Sequence, residues 1–426
     1  MRKIFFIAII VICLGAYASI HDNQIILIIG CAIACISSLL LPTNQSIYLI
    51  AALIPPNRIL TLGPISTPVM IIIVILLKLL ITRRIKIEAN FAIWTALYIL
   101  FGIISLVFVE SNLITFIKDC SILIYLYHTF KNSCSNLSKY LISVISYSCI
   151  VSSIIIALFN PLILLGSERF GFTDSGQNVL GIICGSMILL NAILLFKEKY
   201  EFKRVLIIIL LLILGIFTGS RSFLLEIGIG ISIFILYIIT HLKQQSNLQL
   251  LIGFFLIGFT LLMLYEYSSL FSSIIERNLN RYNSLNQKDV SNGRFDIWNN
   301  YINLFIEHPR YLWLGGMNRQ TLNLGYVAHN LIIEHLAYIG IIGNCIIAIL
   351  YRYIYKIHIR TNKLKYNINY FTIAPLVSFI GAGMVSHTLL ALPQTIILYI
   401  TLFTITKEND KKNSLDYITR TSRYIK

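Results

Sequence analysis

Four polar clusters interrupt an otherwise apolar chain, and their residue types point to one kind of chemistry. Arg221 sits in TGSRSFLL (218–225), where Thr218-Gly219-Ser220 divides two apolar runs with almost no loop. A guanidinium at a membrane boundary offers a planar fork of donors to diphosphate oxygens, and the free N–H groups that open the following helix add to it. The alternative is an arginine that snorkels to water and caps a span. RFGFTDSGQN (169–178) holds Arg169, Asp174 and Asn178 beside Gly171 and Gly176, which mark turns; a solvated loop is its plainer reading. NGRFDIW (292–298) sets Arg294 at the head of an amphipathic run in which Phe295, Trp298, Ile302 and Phe305 recur at helical spacing. Such a helix would lie on a membrane or cover a cavity. HNLIIEHLAYIG (329–340) opens another apolar run with His329 and Asn330 and carries Glu334 and His335 inside it.

An imidazole titrates near neutral pH and suits proton transfer, although a lone histidine is more often structural. Asn330 would hold a sugar or orient the ring. Several arginines, one histidine and almost no acidic pair fit the binding of a phosphate-bearing leaving group and the removal of a proton from a hydroxyl. Clustered carboxylates and His/Cys sets for a divalent ion are missing, so neither a metal nor another cofactor is expected. Rings or repeats of polar residues, as in a channel, are also missing.

The elements that must position these groups are membrane helices. Of 426 residues, 57% are hydrophobic and 12% are charged, against about 25% charged in a soluble domain. Apolar runs of roughly 18 residues recur along the chain, without the strict alternation of membrane strands. The expected spans are 4–20, 24–41, 46–57, 65–82, 91–109, 112–130, 140–160, 178–196, 205–218, 222–240, 248–265, 330–351, 369–388 and 392–406. The fold class is therefore an all-α polytopic membrane protein of 12–14 transmembrane helices, with one long periplasmic loop containing short amphipathic helices. Residues 1–265 form a bundle of about eleven spans that includes an outer segment at 161–177. The long loop is 266–329, the C-terminal spans are 330–406, and a basic cytoplasmic tail is 407–426. The opening MRKIFFIAIIVICLGAYASI is read as a first membrane helix rather than a cleaved signal. Seven of eight cysteines lie in apolar runs and Cys134 in a short polar link, which gives neither a disulfide framework nor a zinc pattern.

The formal charge of +16 sorts by topology. Counting fourteen spans from a cytoplasmic N-terminus puts 23 of the 34 Lys and Arg on the cytoplasmic side, as the positive-inside rule requires. Nucleic acid is not an expected partner, whereas anionic membrane lipid is. Both termini are then cytoplasmic, and all four polar clusters face outward.

These motifs resemble the O-antigen polymerase and O-antigen ligase superfamily, membrane glycosyltransferases of the type C class. Arg221 to Leu225 is similar to its Arg-x3-Leu signature and His329 to Gly340 to its His-x10-Gly signature. GRFDIW, with a proline and glycines downstream, resembles the family's outer loop. RFGFTDSGQN resembles its Arg…Asn segment, with Gly-Gln-Asn where Asn-Pro-Asn is usual. The likeness covers about residues 165–345. It implies metal-independent transfer from an undecaprenyl-diphosphate-linked glycan donor to an acceptor hydroxyl at the periplasmic face of the bacterial inner membrane. Arg221 and Arg294 would hold the diphosphate with help from Arg169, Asn178 and Asn330 would contact substrate, and His329 would act as general base on the acceptor hydroxyl or position it. The first reading is a polymerase whose acceptor is a second lipid-linked repeat unit, for O-antigen or capsular polysaccharide, with a chain-length regulator protein as a further partner. The alternatives are a ligase acting on lipid A core and, from another class, a polysaccharide flippase.

Overall fold

The computed structural model describes residues 2–63, 65–109, 113–160, 177–197, 201–240, 258, 294–316, 328–366, 368–384 and 391–407. Arg169 with its segment, all of the expected span 248–265 except Gly258, most of the long loop and the tail from 408 lie outside these residues.

The described residues are predominantly helical. In order come α1 (Arg2–Ile20), α2 (Gln24–Leu40), α3 (Thr43–Leu53), α4 (Thr67–Ile81), α5 (Ala89–Val109), α6 (Leu113–Lys131), α7 (Leu137–Phe159) and α8 (Gln177–Lys197). They are followed by α9 (Phe202–Phe217), α10 (Arg221–Thr240), α11 (Arg294–Glu307), α12 (Pro309–Leu314), α13 (Leu331–Asn362), α14 (Tyr370–Gly383) and α15 (Leu392–Thr404). Two-residue antiparallel bridges join Thr61–Leu62 to Ile65–Ser66 and Lys365–Tyr366 to Thr406–Lys407.

Among the described residues five helices are long and apolar enough to cross a membrane: Arg2–Ile20, Ala89–Val109, Leu137–Phe159, Gln177–Leu195 and Leu331–Asn362. The shorter apolar helices Gln24–Leu40, Thr67–Ile81, Phe371–Gly383 and Leu392–Thr404 accompany them. This is an all-α membrane bundle. Among the described residues many large apolar side chains are exposed, with Ile25, Phe108, Leu158 and Phe202 all more than 60% exposed, as expected where lipid is the solvent.

Helix ends follow local chemistry. Asn23, Asn330 and Asn369 cap α2, α13 and α14 through their side-chain oxygens. Helix α3 stops at Leu53 because Pro55 and Pro56 cannot continue it. The chain then passes as buried irregular backbone into a 3-10 turn at Asn57–Leu60, which is tolerated at membrane depth only inside protein.

Packing fixes which helix ends share a face. Glu88, before α5, pairs with Lys131 at 3.7 Å and Arg360 at 3.3 Å. Ser133 bonds His358 Nδ1 at 3.2 Å, and Phe371 of α14 packs on Phe234 and Tyr237 of α10. One end of the bundle therefore gathers the starts of α5 and α14 with the ends of α6, α10 and α13. Helices α8 and α10 run parallel: Gly181 meets Ser220, Gly185 meets Glu226, and Gly230 meets Leu189. The starts of α8, α10 and α13 consequently lie at the opposite end. That is where the sequence expects the functional groups.

Candidate functional site

Asn178 and Arg221 form the first group. Thr218-Gly219-Ser220 reverses the chain in three residues. Gly219 adopts φ +56°, Thr218 Oγ1 donates to the Gly215 carbonyl at 2.6 Å, and the hydroxyls of Ser220 and Ser222 bond at 2.7 Å. A Cβ on Gly181 would come within 2.6 Å of Ser220 Cβ, so the start of α8 sits directly on this turn. Asn178 is one helical turn before Gly181 and Arg221 is the first residue of α10; both are half-buried. An apolar groove of about 340 Å³ between α7 and α9, lined by Ile150, Ile154, Leu158, Leu210, Leu214 and Phe217 among others, ends beside the same turn.

Arg294, His329 and Asn330 form the second group. His329 is half-buried with φ +49°, a conformation uncommon outside glycine. Its N–H donates to Glu334 Oε1 at 3.0 Å. Asn330, 6% exposed, accepts from Ile332 N at 3.0 Å and Ile333 N at 3.1 Å. Its carboxamide oxygen is thus committed to capping α13, a role the sequence reading did not give it. Trp298 Nε1 donates to the Ala328 carbonyl at 2.7 Å, which holds α11 against the residue preceding His329. Arg294 begins that helix, one turn from Trp298.

The amphipathic run at 294–307 is a helix, but the expected stripe divides. Trp298, Tyr301 and Phe305 pack with Ala328 and Ala337 in a small separate core, while Phe295 and Ile302 are exposed. The helix ends at Glu307, before Pro309, and Pro309 opens α12, because proline suits a first helical position.

Glu334 and His335, costly inside an apolar span, both have partners. Glu334 holds the His329 amide, and His335 Nδ1 donates to Asn344 Oδ1 at 2.8 Å. Asn344 was not anticipated; its only signal is a lone carboxamide in IIGNCII. The buried acids lie in separate interfaces. Glu226 of α10, fully buried, accepts from Ser186 Oγ of α8 at 2.5 Å, and Asp119 of α6 accepts from Tyr98 of α5 at 3.4 Å. Among the described residues no three His, Cys, Asp or Glu side chains gather as a metal set.

The first group is built on α8 and α10 and the second on α11 and α13, at the same end of the bundle. Arg169 lies outside the described residues. No family model matches the chain, and no curated protein matches it.

Proposed function

We propose that this chain is a metal-independent membrane glycosyltransferase of the O-antigen polymerase type, joining undecaprenyl-diphosphate-linked repeat units at the periplasmic face of a bacterial inner membrane. The observation that carries the reading is the shared end. Asn178 and Arg221, and Arg294, His329 and Asn330, come from distant stretches of sequence, yet their helices all begin opposite the end where Glu88 meets Lys131 and Arg360. The apolar groove beside the 218–220 turn is suited to a polyprenyl chain.

In this scheme His329 takes the proton of the acceptor hydroxyl as that oxygen forms a bond to the donor's anomeric carbon. The bond from that carbon to the diphosphate breaks, and the diphosphate leaves with the electron pair. Arg221 and Arg294, with Arg169, stabilise the departing charge, which requires no proton or metal on the leaving group. Asn330 acts through the backbone, by starting the helix that presents His329. Holding two lipid-tethered substrates in register supplies much of the remaining acceleration.

Purified protein given lipid-linked repeat units should produce a ladder of chain lengths, unchanged by EDTA. One-step attachment to lipid A core would replace polymerase by ligase. Absence of product from both acceptors, alongside translocation in vesicles, would replace both by a transporter. Inhibition by EDTA that a divalent ion reverses would refute the metal-free scheme.

A further inference from the structure

The helix that carries the imidazole is broken. Within α13, Gly340 has φ +61° and ψ −176°, so residues 331–339 and 341–362 are two helices meeting at a joint. A break at membrane depth releases backbone groups that have no water to bond, and these need partners from the protein. Gly316 N–H donates to the Tyr338 carbonyl at 3.1 Å. The Asn344 side-chain amide donates to the carbonyls of Gly340 at 2.7 Å and His335 at 3.0 Å, while its oxygen receives His335 Nδ1. One side chain thereby ties both sides of the break together. The return after α12 fills the joint from outside: a Cβ on Gly315 would lie 2.6 Å from Gly340 N, and Ser105 of α5 donates to the Leu314 carbonyl at 3.0 Å.

Beyond the joint, the short helix 331–339 is about 13 Å long at 1.5 Å per residue. His329 stands at its tip, fixed there by Glu334. A tilt of about 10° at the joint would move that tip by roughly 2 Å, and misplacement by about 1 Å can cost a reaction 100-fold.

We propose that Asn344 is a positioning residue for His329, acting through the break at Gly340. This rests on the transfer reading above for its kinetic consequence but not for its geometry. Asn344→Ala should lower kcat by about 10- to 100-fold with KM little changed. Asn344→Ser should recover part of the loss, because a serine hydroxyl can donate to the carbonyl four residues before it. In a His329→Ala background Asn344→Ala should cost nothing further; additive losses would overturn the proposal.

A second measurement needs no substrate. In detergent-solubilised full-length protein carrying His329→Cys, labelling of position 329 by a small hydrophilic maleimide, read by mass spectrometry, should accelerate several-fold when Asn344→Ala is added. An unchanged rate overturns the proposal whatever the transfer assay gives. Accelerated labelling in a protein that makes no glycan product would uphold the joint and overturn the enzymatic reading instead. If Asn344→Ala does not accumulate, Asn344→Ser carries the same comparison at smaller amplitude.

Discussion

Replacing Gly340 by alanine tests the joint on stability alone. With φ +61° and ψ −176°, Gly340 occupies a backbone region that is essentially reserved for glycine. Forcing a Cβ residue into it costs about 1–3 kcal/mol. The new Cβ would also stand 2.6 Å from Gly315 N and press on the Trp313 carbonyl. Ordinary contact needs nearly 1 Å more, and overpacking of this kind costs a further ~1–3 kcal/mol. The sum, about 2–6 kcal/mol, corresponds to a fall of roughly 4–12 °C in apparent Tm at ~2 °C per kcal/mol for a large chain. Thermal unfolding in detergent, followed by tryptophan fluorescence, reads this directly, because Trp313 forms part of the joint. Gly228→Ala is the control: a Cβ there meets nothing within 4 Å, and alanine is the better helix former by about 1 kcal/mol. If Gly340→Ala melts within a degree of the unaltered protein while Gly228→Ala behaves as stated, the tight three-glycine joint is not present in solution.

Three further outcomes are expected. Arg221→Lys keeps the charge but loses the guanidinium fork, so product should fall by at least tenfold at normal membrane abundance; full activity in a ladder assay would remove Arg221 from the mechanism. Glu226→Gln retains an acceptor for Ser186 Oγ without a charge in the α8–α10 interface, so abundance and transfer should stay within about twofold. Loss of all function in that variant would favour proton-coupled transport. Trp298→Phe removes the bond to the Ala328 carbonyl and should cost about 1 kcal/mol, seen as an apparent Tm lower by about 2 °C; no shift would mean that α11 is not held at this point.

Much of the architecture is legible without coordinates, because in a membrane each helix must satisfy its own backbone and announces itself by an apolar run. Apart from 330–351, each expected span that the described residues cover is a helix, with ends a few residues from those anticipated. The span expected at 330–351 is the informative difference. It runs on to Asn362 with Arg352, Lys356 and Arg360 in its last turns; a hydropathy window stops where charge begins, whereas the helix continues toward the end of the bundle where Arg360 meets Glu88. The stripe on α11 was misassigned because spacing gives a helix's faces but not which of them a neighbour will cover.

The sequence by itself determined the membrane class and the helix order, and it singled out the arginine, histidine and asparagine side chains on which the proposed diphosphate and hydroxyl chemistry rests. These are local properties of composition and period. Only the tertiary structure decided that Asn330 works as a cap, that Glu334 grips the backbone of His329, and that Gly340 is a joint closed by Asn344 and Gly316. Those relations depend on how a break in one helix is filled by side chains and backbone from elsewhere in the chain. An amino-acid sequence records the residues that fill such a break, not their meeting.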